Sequence, residues 1–165
     1  PLSSEMLLKM VKEDAYQLVL SVDVMEHIEE DLKVFENFNK SMKKGGMLLI
    51  STPSDQGGSD VHEHDDDSFI DEHVRDGYNI EEIQEKLKKA GFSKTSARYS
   101  YGRPGKISWR LSMKYPIIML GKSKFFYILL PFYYLIFFPI SCIFNAFDLG
   151  INHKSGTGLI VKAWK

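Results

Sequence analysis

A chain of 165 residues is long enough for one domain to bury a core without disulfides or metals. Apolar residues make up 44% and charged residues 26%, the balance of an ordinary globular protein. The single cysteine, Cys142, excludes an internal disulfide and fits a reducing cytosol. Residues 5–14 carry five charges and no apolar run, so no signal peptide is expected there, and the chain starts without an initiator methionine. The net charge of −1 hides an asymmetry. Residues 1–85 hold 21 acidic and 7 basic side chains, whereas residues 86–165 hold 1 acidic and 14 basic ones. Such a split marks either a surface for an anionic partner or two solvated faces of one globule.

Taken in chain order, Gln17–Asp23 is a short β-branched and apolar run suited to a buried parallel strand. Ile28, Leu32, Phe35, Phe38 and Met42 then repeat at helical spacing. Glu29, Glu30 and Asp31 fall in the first turn of this predicted helix, and Lys40, Lys43 and Lys44 near its last. Gly45-Gly46 is expected to stop it. Residues 47–52 read as a second buried strand, ended by Pro53. Residues 54–68 are a polar loop, long enough to be functional or disordered, with a short helix expected around 68–75. A further helix starts at Asn79, which pairs with Glu82 in a capping-box-like arrangement. Ile80, Ile83, Leu87 and Ala90 form its apolar stripe, and Gly91 closes it. Residues 93–101 and 157–164 read as a third and a fourth strand. Alternating strands and helices predict a doubly wound α/β sheet, interrupted by a long insertion before the final strand.

Three stretches together resemble class I S-adenosylmethionine-dependent methyltransferases. Leu18-Val19-Leu20-Ser21-Val22-Asp23-Val24-Met25-Glu26-His27-Ile28 is similar to that family's fourth strand and the turn after it. Lys44 to Pro53 is similar to its fifth strand. Glu72-His73-Val74-Arg75, through Tyr78 to Ala90-Gly91-Phe92, is similar to the helix before its sixth strand. The resemblance implies an α/β, Rossmann-like methyltransferase sheet, here its last four strands, with a hydrophobic helical insertion. It divides the chain into residues 1–102 and 156–165 of the methyltransferase-like domain and an insertion at 103–155.

In open α/β sheets, ligands lie beyond the carboxyl ends of the strands. The resemblance places Ser21, Val22 and Asp23 along S-adenosylmethionine, with Glu26 and His27 shaping the turn. His27 could equally hold that turn by a backbone hydrogen bond, and Glu26 could be a helix N-terminal acid. The family's glycine-rich loop and ribose-binding acid are not in this sequence. The chain is therefore read as a fragment of a longer protein, one that alone binds the cofactor poorly.

His62, His64, His73, Arg75 and Tyr78 are candidates on the substrate side. No catalytic residue is assigned, because a base is needed only if the acceptor must lose a proton. His62-Glu63-His64-Asp65-Asp66-Asp67 mixes imidazole and carboxylate, which suits several divalent ions. It lacks a distant third ligand, so it is read as a solvated acidic loop and no metal is expected. Nothing resembles a Ser-His-Asp set, a phosphate loop or paired Cys-x-x-Cys ligands.

Phe125 to Phe147 is 23 residues without a charge, long enough to span a bilayer. Pro131 and Pro139 are expected to kink it. Lys106, Arg110, Lys114, Lys122 and Lys124 precede it. A single crossing would put the third and fourth strands on opposite sides of the membrane, and Arg110 and Lys114 make 107–121 a poor second span. A re-entrant or interfacial hairpin resting on anionic headgroups meets both constraints; the other reading is a soluble lid or dimer contact. The expected acceptor is a small molecule or a lipid-like one, and the expected location is cytoplasmic, peripheral on the inner face of a membrane. No nucleic-acid partner is expected. The rival function is a non-catalytic methyltransferase-like module docking to a membrane or a partner subunit.

Overall fold

The computed structural model describes residues 12–56, 74–75 and 77–165. They form two compact units. The first comprises the described residues up to Arg98 together with Thr157–Lys165, and the second is Tyr99–Gly156.

The first unit is built on a four-stranded sheet in the order β1-β2-β4-β3. Its strands are β1 (Tyr16–Val22), β2 (Met42–Pro53), β3 (Lys94–Ser100) and β4 (Gly158–Trp164). β1 runs parallel to β2, and β4 runs antiparallel to β2. This is the α/β, Rossmann-like arrangement expected from the sequence, with the helical insertion before the final strand.

The helix after β1 differs from the prediction. Residues Met25–His27 form a single 3-10 turn and Ile28 is extended, so α1 covers only Asp31–Ser41. Glu29 and Glu30 therefore precede it, and Asp31 is the acid in its first turn. Met42 is not the last residue of the helical stripe but the first residue of β2. The ladder pairs Tyr16 with Met42 and then Leu18 with Met47, so the residues between Met42 and Met47 bulge out of register. The Gly45-Gly46 pair shapes this bulge, Gly45 with φ +79°, rather than ending the helix. Lys165 clamps the bulge by exchanging backbone hydrogen bonds with Gly45 and Gly46.

α2 (Ile80–Lys89) is capped as the sequence predicts: Asn79 Oδ1 accepts from Glu82 N at 2.7 Å. Gly91, at φ +94°, closes it. Residues 57–73 and 76, and with them most of the polar loop and the expected short helix, lie outside the described residues. Val74 and Arg75 form a bend rather than a helical turn.

Strand alternation separates the two sides of the sheet. Leu48, Ile50 and Thr52 of β2 and Leu159, Val161 and Ala163 of β4 are buried on one side with Phe35 of α1 and Ile83 and Leu87 of α2. The buried Leu, Ile, Val and Phe side chains among these each contribute about 1.5–3 kcal/mol by leaving water. On the opposite side Leu18, Leu20 and Val22 of the edge strand β1 are exposed.

The second unit is a helical hairpin. α3 (Arg103–Trp109) passes through a π-type turn (Arg110–Lys114) into α4 (Tyr115–Lys122), and α5 (Phe126–Gly150) returns. α5 runs unbroken through Pro131 and Pro139. The base is closed by Asp148, whose carboxylate accepts from Tyr101 N at 2.9 Å and Gly105 N at 3.0 Å and pairs with His153 Nε2 at 2.9 Å.

Candidate functional site at the carboxyl end of the parallel strands

The ladder of β1 continues one residue past the strand, because Asp23 N donates to Ser51 O at 2.9 Å. Asp23 then turns the chain with φ +49°. Asp tolerates this left-handed conformation better than most residues, through local hydrogen bonding of its short side chain. The turn leaves Val22, Asp23 and Val24 exposed in succession at the carboxyl end of the sheet. A carboxylate flanked by two apolar side chains suits a ligand that presents both hydroxyl or amino groups and apolar surface.

Of the other three residues, Ser21 is expected along the cofactor and Glu26 and His27 are expected to shape the turn. Ser21 is buried on the packed side of the sheet, and its hydroxyl has no hydrogen-bond partner among the described residues. Glu26 is also buried. Its Oε2 accepts from Thr52 Oγ1 at 3.1 Å, which ties the turn after β1 to the end of β2, and its backbone oxygen accepts from Val74 N at 3.0 Å. Only His27 of this group is exposed.

Beneath the turn lies a cluster that the sequence reading did not assemble. Asp31, at the start of α1, accepts with one oxygen, Oδ2, from Arg75 Nη1 at 2.6 Å, Tyr78 Oη at 2.7 Å and Lys86 Nζ at 2.7 Å. Tyr78 Oη also lies 3.2 Å from Met25 O, and Arg75 Nη2 donates to Ile28 O at 2.7 Å. Both cations stack near the Tyr78 ring, at 4.8 Å for Arg75 and 5.2 Å for Lys86. Burial by itself would raise the Asp31 pKa. Hydrogen bonds from Lys86 and Tyr78 and the charges of Arg75 and Lys86 outweigh it and hold the carboxyl below its ordinary value. Tyr78 is shifted upward, first by burial and then by its bond to Asp31 and the charge there.

Two of the five substrate-side candidates, Arg75 and Tyr78, are therefore brought together, but around Asp31. Tyr78 is fully buried and holds the chain after the polar loop against β2 and α1. His62, His64 and His73 lie outside the described residues. Tyr78→Phe removes the hydroxyl shared by Asp31 and Met25 and is expected to cost about 1–3 kcal/mol. A fall in the urea midpoint with an unchanged m-value would report it. No local spacing signalled Asp31: its partners come 44, 47 and 55 residues later.

Fold and strand-end turn together define an α/β protein with an exposed turn at the carboxyl end of its parallel strands, the end at which open α/β sheets hold ligands. Residues 6–97 match the family model described as "Methyltransferase domain". The chain belongs to that methyltransferase family. No curated protein is significantly similar to it in sequence. Among solved structures, phosphoethanolamine N-methyltransferase 2 of Haemonchus contortus, in complex with S-adenosyl-L-methionine, is similar at 21% identity and a TM-score of 0.56, over 93% of this chain and 34% of that one. A methyltransferase from Thermotoga maritima is similar at 14% identity and a TM-score of 0.56, over 94% of this chain and 59% of that one. One from Archaeoglobus fulgidus is similar at 12% identity and a TM-score of 0.54, over 96% and 63%. The chain thus spans between about a third and three fifths of the length of these structures.

Proposed function

We propose that this chain is part of an S-adenosylmethionine-dependent methyltransferase that meets a hydrophobic or lipid-linked acceptor at the cytoplasmic face of a membrane. Membership of the methyltransferase family carries the first half of this reading, and the exposed turn Val22-Asp23-Val24 at the carboxyl end of β1 supports it. When bound, S-adenosylmethionine supplies an electrophilic methyl group on a sulfonium.

The residues of this chain bind and position. Asp23 offers a carboxylate to the polar groups of the cofactor, and Val22 and Val24 offer apolar surface beside it. His27 lies on the exposed side of the same turn. Ser21 and Glu26 support that turn from beneath, Glu26 through Thr52. Direct displacement at a methyl group draws much of its rate from alignment, so a rigid turn contributes more than an added base would. Arg75 and Tyr78 support the turn in the same way, through Asp31.

The hydrophobic acceptor is suggested by α5, a 25-residue apolar helix in which only Ser141 and Asp148 are buried. Lipid headgroups, quinone precursors and isoprenoid-linked sugars all fit that chemistry. The rival reading, a non-catalytic module docking to a membrane or a partner subunit, parts from this one at cofactor binding. In the whole protein, Asp23→Ala is expected to weaken S-adenosylhomocysteine binding by about tenfold, the loss of one charge-assisted hydrogen bond. Titration calorimetry measures it. An unchanged affinity would remove Asp23 from the site, and no binding by the unsubstituted protein would favour the docking module.

A further inference from the structure

The second unit is built inside out for water. Its polar groups pair along the seam between the two arms of the hairpin. Ser108 Oγ donates to Ser141 O at 2.9 Å, and Ser141 Oγ donates back to Ser108 O at 3.1 Å. Both serines are buried. Beside the π-type turn, Tyr133 Oη donates to Leu111 O at 2.8 Å and Tyr134 Oη to Ser112 O at 3.0 Å. Hydroxyl groups thus satisfy carbonyls within the hairpin, as an apolar solvent requires.

The outside of α5 is apolar. Tyr127, Ile128, Phe132, Leu135, Ile136 and Phe147 are each at least 60% exposed. At about 100° per residue they spread over an arc of roughly 200°. A helix laid on a soluble core or in a protein groove needs an apolar stripe of about 100°. An arc twice as wide suits a continuous apolar medium better than one protein partner.

The first arm has a different pattern. Arg103, Lys106, Arg110 and Lys114 recur at intervals of three or four residues along one stripe of α3 and the π-type turn. Lys122 and Lys124 flank the turn at the tip. No acid occurs between Lys86 and Phe147. This charge complements an anionic lipid surface.

We propose that the hairpin Arg103–Gly150 is a monotopic anchor embedded in one leaflet of an anionic bilayer, with α5 below the headgroups and the basic stripe of the first arm among them. The inference deepens the membrane half of the function proposed above and rests on that reading. Both ends of the hairpin join strands of one sheet, so the two must stay on the same side of the membrane. α5 is about 37 Å long, enough to cross. The first arm cannot accompany it cheaply, because Arg110 and Lys114 would fall at mid-depth. Lying in the leaflet leaves these cations among headgroups and gives the arc of α5 its apolar medium.

Cys142 is exposed on α5 and is the only cysteine, so it takes a single fluorescent label. The full chain, labelled there, is mixed with vesicles of phosphatidylcholine alone or with phosphatidylglycerol. The expected result is flotation with the anionic vesicles, less with the neutral ones and less at high salt, with quenching of the label by nitroxide groups on the acyl chains. Lys106→Glu combined with Arg110→Glu is expected to lower anionic-vesicle binding roughly tenfold or more, at unchanged helix content by circular dichroism. The tip is read by a Ser123→Cys, Cys142→Ser variant. A membrane-impermeant maleimide added outside is expected to label it. Failure to float with either vesicle, or an unquenched label, overturns the proposal. Soluble oligomers in place of vesicle binding do so in favour of a protein partner. Protection of the tip cysteine overturns the single-leaflet arrangement in favour of two full crossings. Vesicle binding needs no cofactor, so loss of methyl transfer leaves this result standing, and the reverse also holds.

Discussion

Asp31→Ala is expected to destabilise the first unit by about 3 kcal/mol, the lower end of the roughly 3–5 kcal/mol that breaking a buried ion pair costs. One oxygen of Asp31 receives a guanidinium, an ammonium and a phenol. Removing it leaves the partly buried Arg75 guanidinium with only main-chain carbonyls as partners and Lys86 with Glu82 alone, at 2.8 Å. The Arg75 and Lys86 side chains keep 18% and 25% of their exposure, which lets water recover some of the loss and argues for the lower figure. Against a total stability of 5–15 kcal/mol for a typical domain, this is a large fraction. Urea denaturation followed by circular dichroism measures it. Glu30→Ala is the contrast. Glu30 pairs with Lys33 on the exposed surface, and its removal is expected to cost under about 1 kcal/mol. Equal effects of the two substitutions would show that the Asp31 cluster is not a structural hub.

The same cluster sets a pH window. The folded-state pKa of Asp31 is depressed, so its contribution is present above the unfolded value of about 3.9 and is lost as pH falls through the lower folded value. Tyr78 acts at the other end. Its folded pKa is raised, so its contribution is complete below the ordinary phenol value of about 10 and declines as pH rises beyond it. Stability is therefore expected to be flat in these two groups across neutral pH. Tyr78→Phe is expected to remove the phenol's part of the alkaline loss and leave the acid loss in place.

Gly77→Ala is expected to cost about 3 kcal/mol and to loosen the chain that returns from the polar loop. Gly77 has φ +127°, a conformation that side chains rarely adopt. A Cβ there would lie 2.6 Å from the carbonyl carbon of Ser54 and 2.7 Å from the oxygen of Pro53. Both are main-chain atoms of the sheet and cannot rotate away. Backbone strain of about 1–3 kcal/mol adds to a similar overpacking penalty. The close approach lets Tyr78 N donate to Pro53 O at 3.1 Å and Asp55 N donate to Tyr78 O at 3.1 Å. Hydrogen exchange at these two amides is expected to quicken in the variant more than at the Leu49 amide within β2. Unchanged exchange would show that the contact is not what fixes the Tyr78 segment.

Local patterns made much of the fold legible. Four strands, the capped helix after Asn79 and the stop at Gly91 each follow from chemistry within a few residues: β-branched runs, an Asn side chain reaching an amide three positions on, a glycine free to take positive φ. The same local logic misjudged the span from Ile28 to Gly46. Helical spacing continued through Met42, but pairing with β1 drew Met42 into the sheet and made the two glycines a bulge. A one-residue propensity cannot outweigh a ladder of interstrand hydrogen bonds.

The sequence by itself determined the order of strands and helices, the resemblance at Ser21–His27, and the uncharged run that became α5. These depend on contacts close along the chain or on composition. Only the tertiary structure decided that Glu26 and Tyr78 turn inward while Asp23 and His27 turn outward, and that Asp31 gathers Arg75, Tyr78 and Lys86. It also decided that Ser108 and Ser141 face each other across the hairpin. Such pairings join residues 33 to 55 positions apart. Their partners are selected by how helices pack on a sheet and on each other, and no spacing within a single element encodes that.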